Sequence, residues 1–225
     1  MLILDQCVQY KNVVNELKII KGYYKPIQPT VSVNDKEIHY QEIQPNKEIE
    51  NFVYCFWQLK TRKTLNKSYN YRVVSDGCID IFFNHKRPTE NYVMGFCRKY
   101  VQFPIGKDFD YIGIRFLPSA FPHLFNINAK TLSNQSQELN KVLSNFSKWI
   151  NLEIKPSDSF EIITKVLNKQ MIEISKKQTI RYDDRFLNAL ILIFQKNGHL
   201  DTEKDLNTGL SPRQLRRIFN FYIGT

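Results

Sequence analysis

Tyr71-Arg-Val-Val-Ser-Asp-Gly-Cys-Ile-Asp-Ile-Phe-Phe83 is two short runs of β-branched and aromatic residues around Ser75-Asp76-Gly77. Asp and Gly tolerate the left-handed backbone that a tight turn needs, so Asp76-Gly77 reads as a turn entering a strand. The spacing predicts strands over Tyr71–Val74 and Cys78–Phe83. The same texture extends outward in both directions, from about Ile38 to Leu117. Ile38–Ile43, Phe52–Leu59, Tyr92–Phe96, Val101–Ile105 and Tyr111–Phe116 read as further strands. Thr61–Ser68, Asn84–Glu90 and Gly106–Asp110 read as the connections. Short strands at this spacing imply an antiparallel sandwich or barrel.

On either side of this block the period is helical. Val8, Val13, Val14, Leu17 and Ile20 suggest a short helix over 5–21, closed by Gly22 and the Pro26/Pro29 pair. After Pro118, Ala120–Phe125 reads as one or two turns. Leu139, Val142, Leu143, Phe146, Trp149 and Ile150 fall on one face of a helix over 136–151. Asp158 and Glu161 resemble a capping box opening a third helix over 158–175, followed by a Lys176-Lys177 linker. Ile162, Val166 and Ile172 lie off the main apolar stripe of that helix, which suggests burial on a second face. Phe186, Leu187, Leu190, Ile191 and Phe194 mark a helix over 183–198 that stops at Asn197-Gly198. Together these readings give an α+β protein. Its parts are an N-terminal extension (1–35), a β-rich region (36–120), a helical linker (121–180) and a helical C-terminal region (181–225).

The 225 residues are 42% hydrophobic and 24% charged, a globular balance that excludes wholesale disorder. The longest nearly unbroken apolar run, Phe186–Phe194, includes Asn188 and is too short to span a bilayer. Met1-Leu-Ile-Leu-Asp5 lacks the basic n-region and apolar core of a signal peptide. Cys7, Cys55, Cys78 and Cys97 are scattered and form no CxxC pair, so reduced, buried thiols in a cytoplasmic protein are expected. His39, His85, His123 and His199 show no zinc-ligand spacing, and no metal or cofactor is expected. The formal net charge of +10 favours polyanionic partners, nucleic acid first. Residues 181–225 hold only +2 of that excess, yet Arg213, Arg216 and Arg217 cluster in 206–225 with no acid among them. Clustering matters more than the sum, because screening limits each charge to about 8–10 Å.

That segment carries the functional reading. It runs Thr202-Glu-Lys-Asp-Leu-Asn-Thr-Gly209-Leu-Ser-Pro-Arg-Gln-Leu-Arg-Arg-Ile-Phe-Asn-Phe-Tyr222. A helix-turn-helix needs a short first helix, a tight turn and a second helix presenting donors to the major groove. Thr202–Thr208 stands in the place of the first helix, and Gly209 supplies the turn. Ser211 suits the N-cap and Pro212 the first helical position. Leu215, Ile218, Phe219 and Tyr222 then point inward, while Arg213, Gln214, Arg216 and Arg217 cover the other faces. Arginine is the side chain suited to bidentate contact with guanine or phosphate. The alternative is an amphipathic surface helix with solvated arginines.

Gly-Leu-Ser-Pro-Arg-Gln-Leu-Arg-Arg-Ile-Phe (209–219), followed by Tyr222-Ile-Gly224, resembles the first recognition helix of AraC-type transcription regulators. Upstream, Tyr40-Gln-Glu-Ile-Gln-Pro45, Phe52-Val-Tyr-Cys-Phe-Trp57, Tyr71–Phe83 and Ile112-Gly-Ile-Arg-Phe-Leu-Pro118 are similar to the sensor region of one AraC subgroup. The resemblance implies a cytoplasmic, sequence-specific DNA-binding regulator with a signal-responsive N-terminal domain. It places Arg213, Arg216 and Arg217 on the face that meets bases or backbone of double-stranded DNA. Two departures stand out. Thr202–Thr208 lacks the usual Leu-Ala pair and is one residue short of the common spacing. The family carries two helix-turn-helix units, and this sequence reaches only the first. A homodimer would supply a second recognition helix; the runner-up is a sensor or oligomerisation module without independent DNA binding.

Other candidate sites are weaker. Asp76 and Asp80 stand four apart, without a partner base or metal ligand nearby in the sequence. Trp57, Phe56, Tyr71, Phe82 and Phe83 suggest either the lining of a small-molecule effector cavity, with Trp57, Tyr71 and Phe83 foremost, or simple core packing. No phosphate-binding glycine loop, nucleophile elbow or dinucleotide fingerprint occurs, so no enzymatic activity is expected.

Overall fold

The computed structural model describes residues 19–24, 26, 36–178, 183–202 and 204–225. Residues 19–23 are helical; the remainder of the helix expected over 5–21 lies outside the described residues, as does Cys7. The described residues form eight strands: β1 (Ile38–Ile43), β2 (Val53–Thr61), β3 (Asn70–Val73), β4 (Asp80–Asn84), β5 (Arg87–Met94), β6 (Val101–Pro104), β7 (Asp110–Phe116) and β8 (Ser136–Glu138). Six form an antiparallel sheet in the order β1-β2-β7-β4-β5-β8, and β3 pairs with β6 in a separate ribbon. The large sheet ends on β1 and β8 without pairing them, so it is open and not a closed barrel. The Ser75-Asp76-Gly77 turn, with Gly77 at φ 75°, carries the chain from the ribbon into the large sheet.

Alternation along the strands divides the apolar residues between two cores. Ile81, Phe83, Val93, Ile112, Ile114 and Phe116 face the helices in the main core. Cys55, Trp57 and Leu59 face the opposite way, where Tyr71 of β3 and Phe109 close a second, smaller core. Gly113 of β7 lies beneath the Trp57 indole, and a Cβ there would stand 2.3 Å from two ring carbons. Glycine at this position is what lets the ring lie on the sheet.

Among the described residues, the α-helices after β7 are α1 (Ala120–Phe125), which precedes β8, then α2 (Leu139–Val142), α3 (Ser144–Glu153), α4 (Phe160–Lys177), α5 (Asp184–Gln195) and α6 (Pro212–Tyr222). The single helix expected over 136–151 is replaced by β8, α2 and α3. Ser136–Glu138 pairs with the edge of β5, and Leu143, at φ −134° and ψ 67°, breaks the helix after one turn. The cap of α4 is Ser159, whose hydroxyl accepts from the Ile162 amide, so the start lies one residue beyond the expected Asp158. The helix also runs through Lys176 and Lys177, where a linker was expected. Val166 and Ile172 pack against the main core of their own chain, which leaves Ile162, 48% exposed, on the outer side.

Candidate nucleic-acid interface

Helix α6 is built as its sequence predicts at the N-terminus. The Ser211 hydroxyl accepts from the Gln214 amide at 3.3 Å, and the Gln214 side-chain carbonyl accepts from the Ser211 amide at 3.0 Å. This reciprocal capping box satisfies two donors that the helix leaves open, and Pro212 occupies a position with no donor to lose. Gln214 is therefore tied into the cap. Gly209 sits at φ 68°, the left-handed turn position expected of it.

The preceding segment departs from expectation. Residues 202–208 contain no helix among the described residues; the chain makes one turn, with the Asp205 amide donating to the Asp201 carbonyl at 2.7 Å. The Asp205 carboxylate accepts in return from the Asp201 amide at 2.7 Å, which closes that turn. Leu206 is the segment's single apolar residue and is buried, so no apolar stripe drives a helix.

The inner face of α6 joins the rest of the fold. Ile218, Phe219 and Tyr222 pack against the main core, and Phe186 of α5 meets Phe219 and Tyr222 with ring centroids 5.1 and 5.0 Å apart. His123 of α1 stacks on Tyr222 at 4.2 Å, and burial pushes the His123 imidazole down to about 3, so the ring is neutral in this stack. The Ser133 hydroxyl donates to the Gly224 carbonyl at 2.7 Å, and Ile223 is buried in the main core. Leu215, expected on the inner face, is half-buried and lines a cleft instead. Arg213, Arg216 and Arg217 are exposed, as their spacing predicts, and Arg216 also lines the cleft.

The cleft measures about 1210 Å³ and separates the β-rich region from the last two helices. Gly77, Arg98, Pro118 and Lys130 form one wall; residues of α5, the segment from Leu206 to Leu210 and residues of α6 form the other.

The proposed effector-lining trio is not brought together. Trp57 and Tyr71 share the second core, but Phe83 belongs to the main core on the opposite face of the sheet. The register explains this: Trp57 stands opposite Gly113 and Phe83 opposite Ile112, and adjacent residues of β7 face opposite ways. Asp76 and Asp80 also part company. The Asp76 carboxylate accepts from the Tyr24 hydroxyl and the Cys78 amide, both at 3.0 Å, while Asp80 receives a bidentate pair from Arg115 at 3.1 and 2.9 Å. Burial pushes the Asp80 carboxyl up against the pull of Arg115, and Arg115 stays charged because Asp80 outweighs its own burial.

Sequence reasoning missed this ion pair and a second one. His85 Nδ1 lies 3.0 Å from the Asp110 carboxylate, and its Nε2 lies 2.9 Å from the Asp158 carbonyl. Arg115 had a signal, as the charged residue inside Ile-Gly-Ile-Arg-Phe; His85, in a polar turn, had none. Cys55, Cys78 and Cys97 are free and buried, as expected of small apolar fillers. Among the described residues, no group of three or more His, Cys, Asp or Glu is placed to hold a metal ion, and no helix is long and apolar enough to cross a membrane.

No curated protein and no solved structure matches the chain. Residues 41–138, which run from within β1 to the end of β8, match the family described as Domain of unknown function (DUF6597).

Proposed function

We propose that this chain is a sequence-specific DNA-binding regulator of AraC type, with α6 as the groove-reading helix and the β-rich region receiving a signal. The observation that carries the reading is the division of α6: Ile218, Phe219 and Tyr222 are committed to the core, while Arg213, Arg216 and Arg217 stand exposed on an acid-free segment. A helix held from behind and cationic in front meets the steric and electrostatic needs of major-groove entry. Gln214, tied to the cap, serves to orient α6 more than to read bases.

Selection from a random duplex pool, followed by fluorescence anisotropy on the enriched sequence, tests it. Arg217→Ala should weaken binding by about 1–3 kcal/mol and relax the preference at one base pair. With Arg217 on a base, two phosphate contacts from Arg213 and Arg216 give a slope of about −1.8 for log K against log salt. Equal affinity of wild type and Arg217→Ala on every duplex overturns the assignment.

The second reading, a sensor or oligomerisation module without independent DNA binding, is favoured by one observation. The described residues between Thr202 and Thr208 contain no helix, where a helix-turn-helix has its first one. Failure of the pool to enrich any sequence, with the protein folded, supports this alternative.

A further inference from the structure

Helix α6 divides its surface three ways. Ile218, Phe219 and Tyr222 pack against the main core, while Leu215, Arg216, Phe219 and Asn220 line the cleft. Arg213, Arg217 and Phe221 do neither, and their spacing of four residues sets them in one row along the helix. Arg213 and Arg217 are exposed. Phe221 is half-buried, its ring meeting that of Tyr222 edge-on with centroids 4.9 Å apart. The row therefore runs from two cations to an aromatic ring that belongs to neither apolar core, and the helix holds no acid.

A half-exposed ring gains by being covered, and here the cover must also suit the cations beside it. An apolar protein face would strand both guanidinium groups without partners. A phosphate backbone suits the arginines and offers the ring nothing apolar. The major groove supplies both kinds of contact: guanine presents O6 and N7 to arginine, and thymine presents a C5-methyl group to an apolar side chain such as phenylalanine. Groove-reading helices meet bases through residues at three- and four-residue spacings, as this row provides. Resting on the DNA reading above, we propose that Phe221 is a second specificity-determining residue, its ring packing on the C5-methyl of a thymine. Four residues of α-helix rise about 6 Å and base pairs step about 3.4 Å, so this thymine lies about two base pairs from the pair that Arg217 reads.

The ring has a second use within the helix, covering the aliphatic stem of Arg217 one turn away. Truncating Phe221 would disturb that stem whatever base lies opposite, so the thymine methyl itself must be varied.

The duplex enriched from the random pool tests this, with each thymine in turn replaced by deoxyuridine, which lacks only the 5-methyl group. Fluorescence anisotropy of the full chain should find one replacement, about two base pairs from the pair whose preference Arg217→Ala relaxes, that weakens binding about fourfold. That is the worth of one buried methyl-sized group at about 0.8 kcal/mol. Phe221→Ala should bind the thymine duplex at least about fourfold more weakly than wild type and should not distinguish it from the deoxyuridine duplex. Phe221→Leu, still apolar, should keep the distinction. Because Phe221 joins neither core, the melting midpoints of both variants should hold. Undiminished sensitivity to deoxyuridine in Phe221→Ala, or no thymine whose methyl matters to wild type, overturns the inference and leaves the Arg217 assignment standing. A pool that enriches no sequence overturns the DNA reading and this inference with it.

Discussion

His85 should act as a charged clamp whose loss has a defined pH signature. Both of its ring nitrogens face acceptors, the Asp110 carboxylate at 3.0 Å and the Asp158 carbonyl at 2.9 Å, so both must carry hydrogen and the ring is an imidazolium. The clamp ties the start of β7 to the loop that opens α4. The His85 and Asp110 side chains are only 13% and 14% exposed, so solvent screens the pair weakly. Hydrogen bonds to charged groups contribute about 1.5–3 kcal/mol each before desolvation offsets part of it. His85→Gln should therefore cost about 2 kcal/mol, or about 4–8 °C in melting midpoint for a chain of this size. The Asp110 hydrogen bond raises the His85 pKa above 6.5, against opposition from burial and from Lys60. Burial pushes the Asp110 carboxyl up, but its hydrogen bonds from His85 and Gln58 outweigh that and hold it below 3.8. The imidazolium contribution is thus complete below the ordinary histidine value and disappears as pH rises through the folded one. The carboxylate contribution is complete above the ordinary aspartate value and disappears as pH falls through the folded one. Urea unfolding followed by tryptophan fluorescence, near pH 6 and about pH 9, reads the difference between wild type and His85→Gln. The difference should shrink at the higher pH. A difference that is the same at both, or larger at the higher pH, refutes the imidazolium assignment.

Gly113→Ala should destabilise by about 3 kcal/mol, since the new methyl stands 2.3 Å from the Trp57 ring; Trp57→Leu in the same chain should recover part of the loss in urea titration. Asp80→Asn should cost about 3–5 kcal/mol by removing the carboxylate that pairs with the buried Arg115 guanidinium, again measured by chemical unfolding. Homodimerisation through the helical region is expected from Ile162 and Leu152, 48% and 78% exposed on α4 and α3. Sedimentation at micromolar concentration should show a dimer that Ile162→Glu weakens, and a strictly monomeric wild type would count against it.

Local chemistry determined much of this protein. Seven strands are visible as short β-branched and aromatic runs, and the observed β1 coincides with the reading from sequence, because alternation is a property of consecutive residues. The start of α6 is legible in Ser211-Pro212, an N-cap followed by proline, while the Gln214 half of the capping box emerges only from the structure. Three of four inward positions on α6 and the exposure of its arginines follow from helical spacing. The α+β class follows from the order of these elements.

Tertiary structure decided what depends on partners distant in the chain. Ser136-Gln-Glu138 has no strand pattern of its own and is a strand because the backbone edge of β5 is there to pair with. The helix expected across 136–151 breaks at Leu143 after that pairing. Trp57 and Phe83 look alike in sequence, and only the register of β2, β4 and β7 sends them to opposite faces. The pairs Asp80–Arg115 and His85–Asp110 span 35 and 25 residues, so no short-range periodicity announces them. The cleft is assembled from residues as far apart as Gly77 and Thr225. A sequence specifies which surfaces are apolar and where its charges lie; which surfaces meet is settled only when the whole chain has closed on itself.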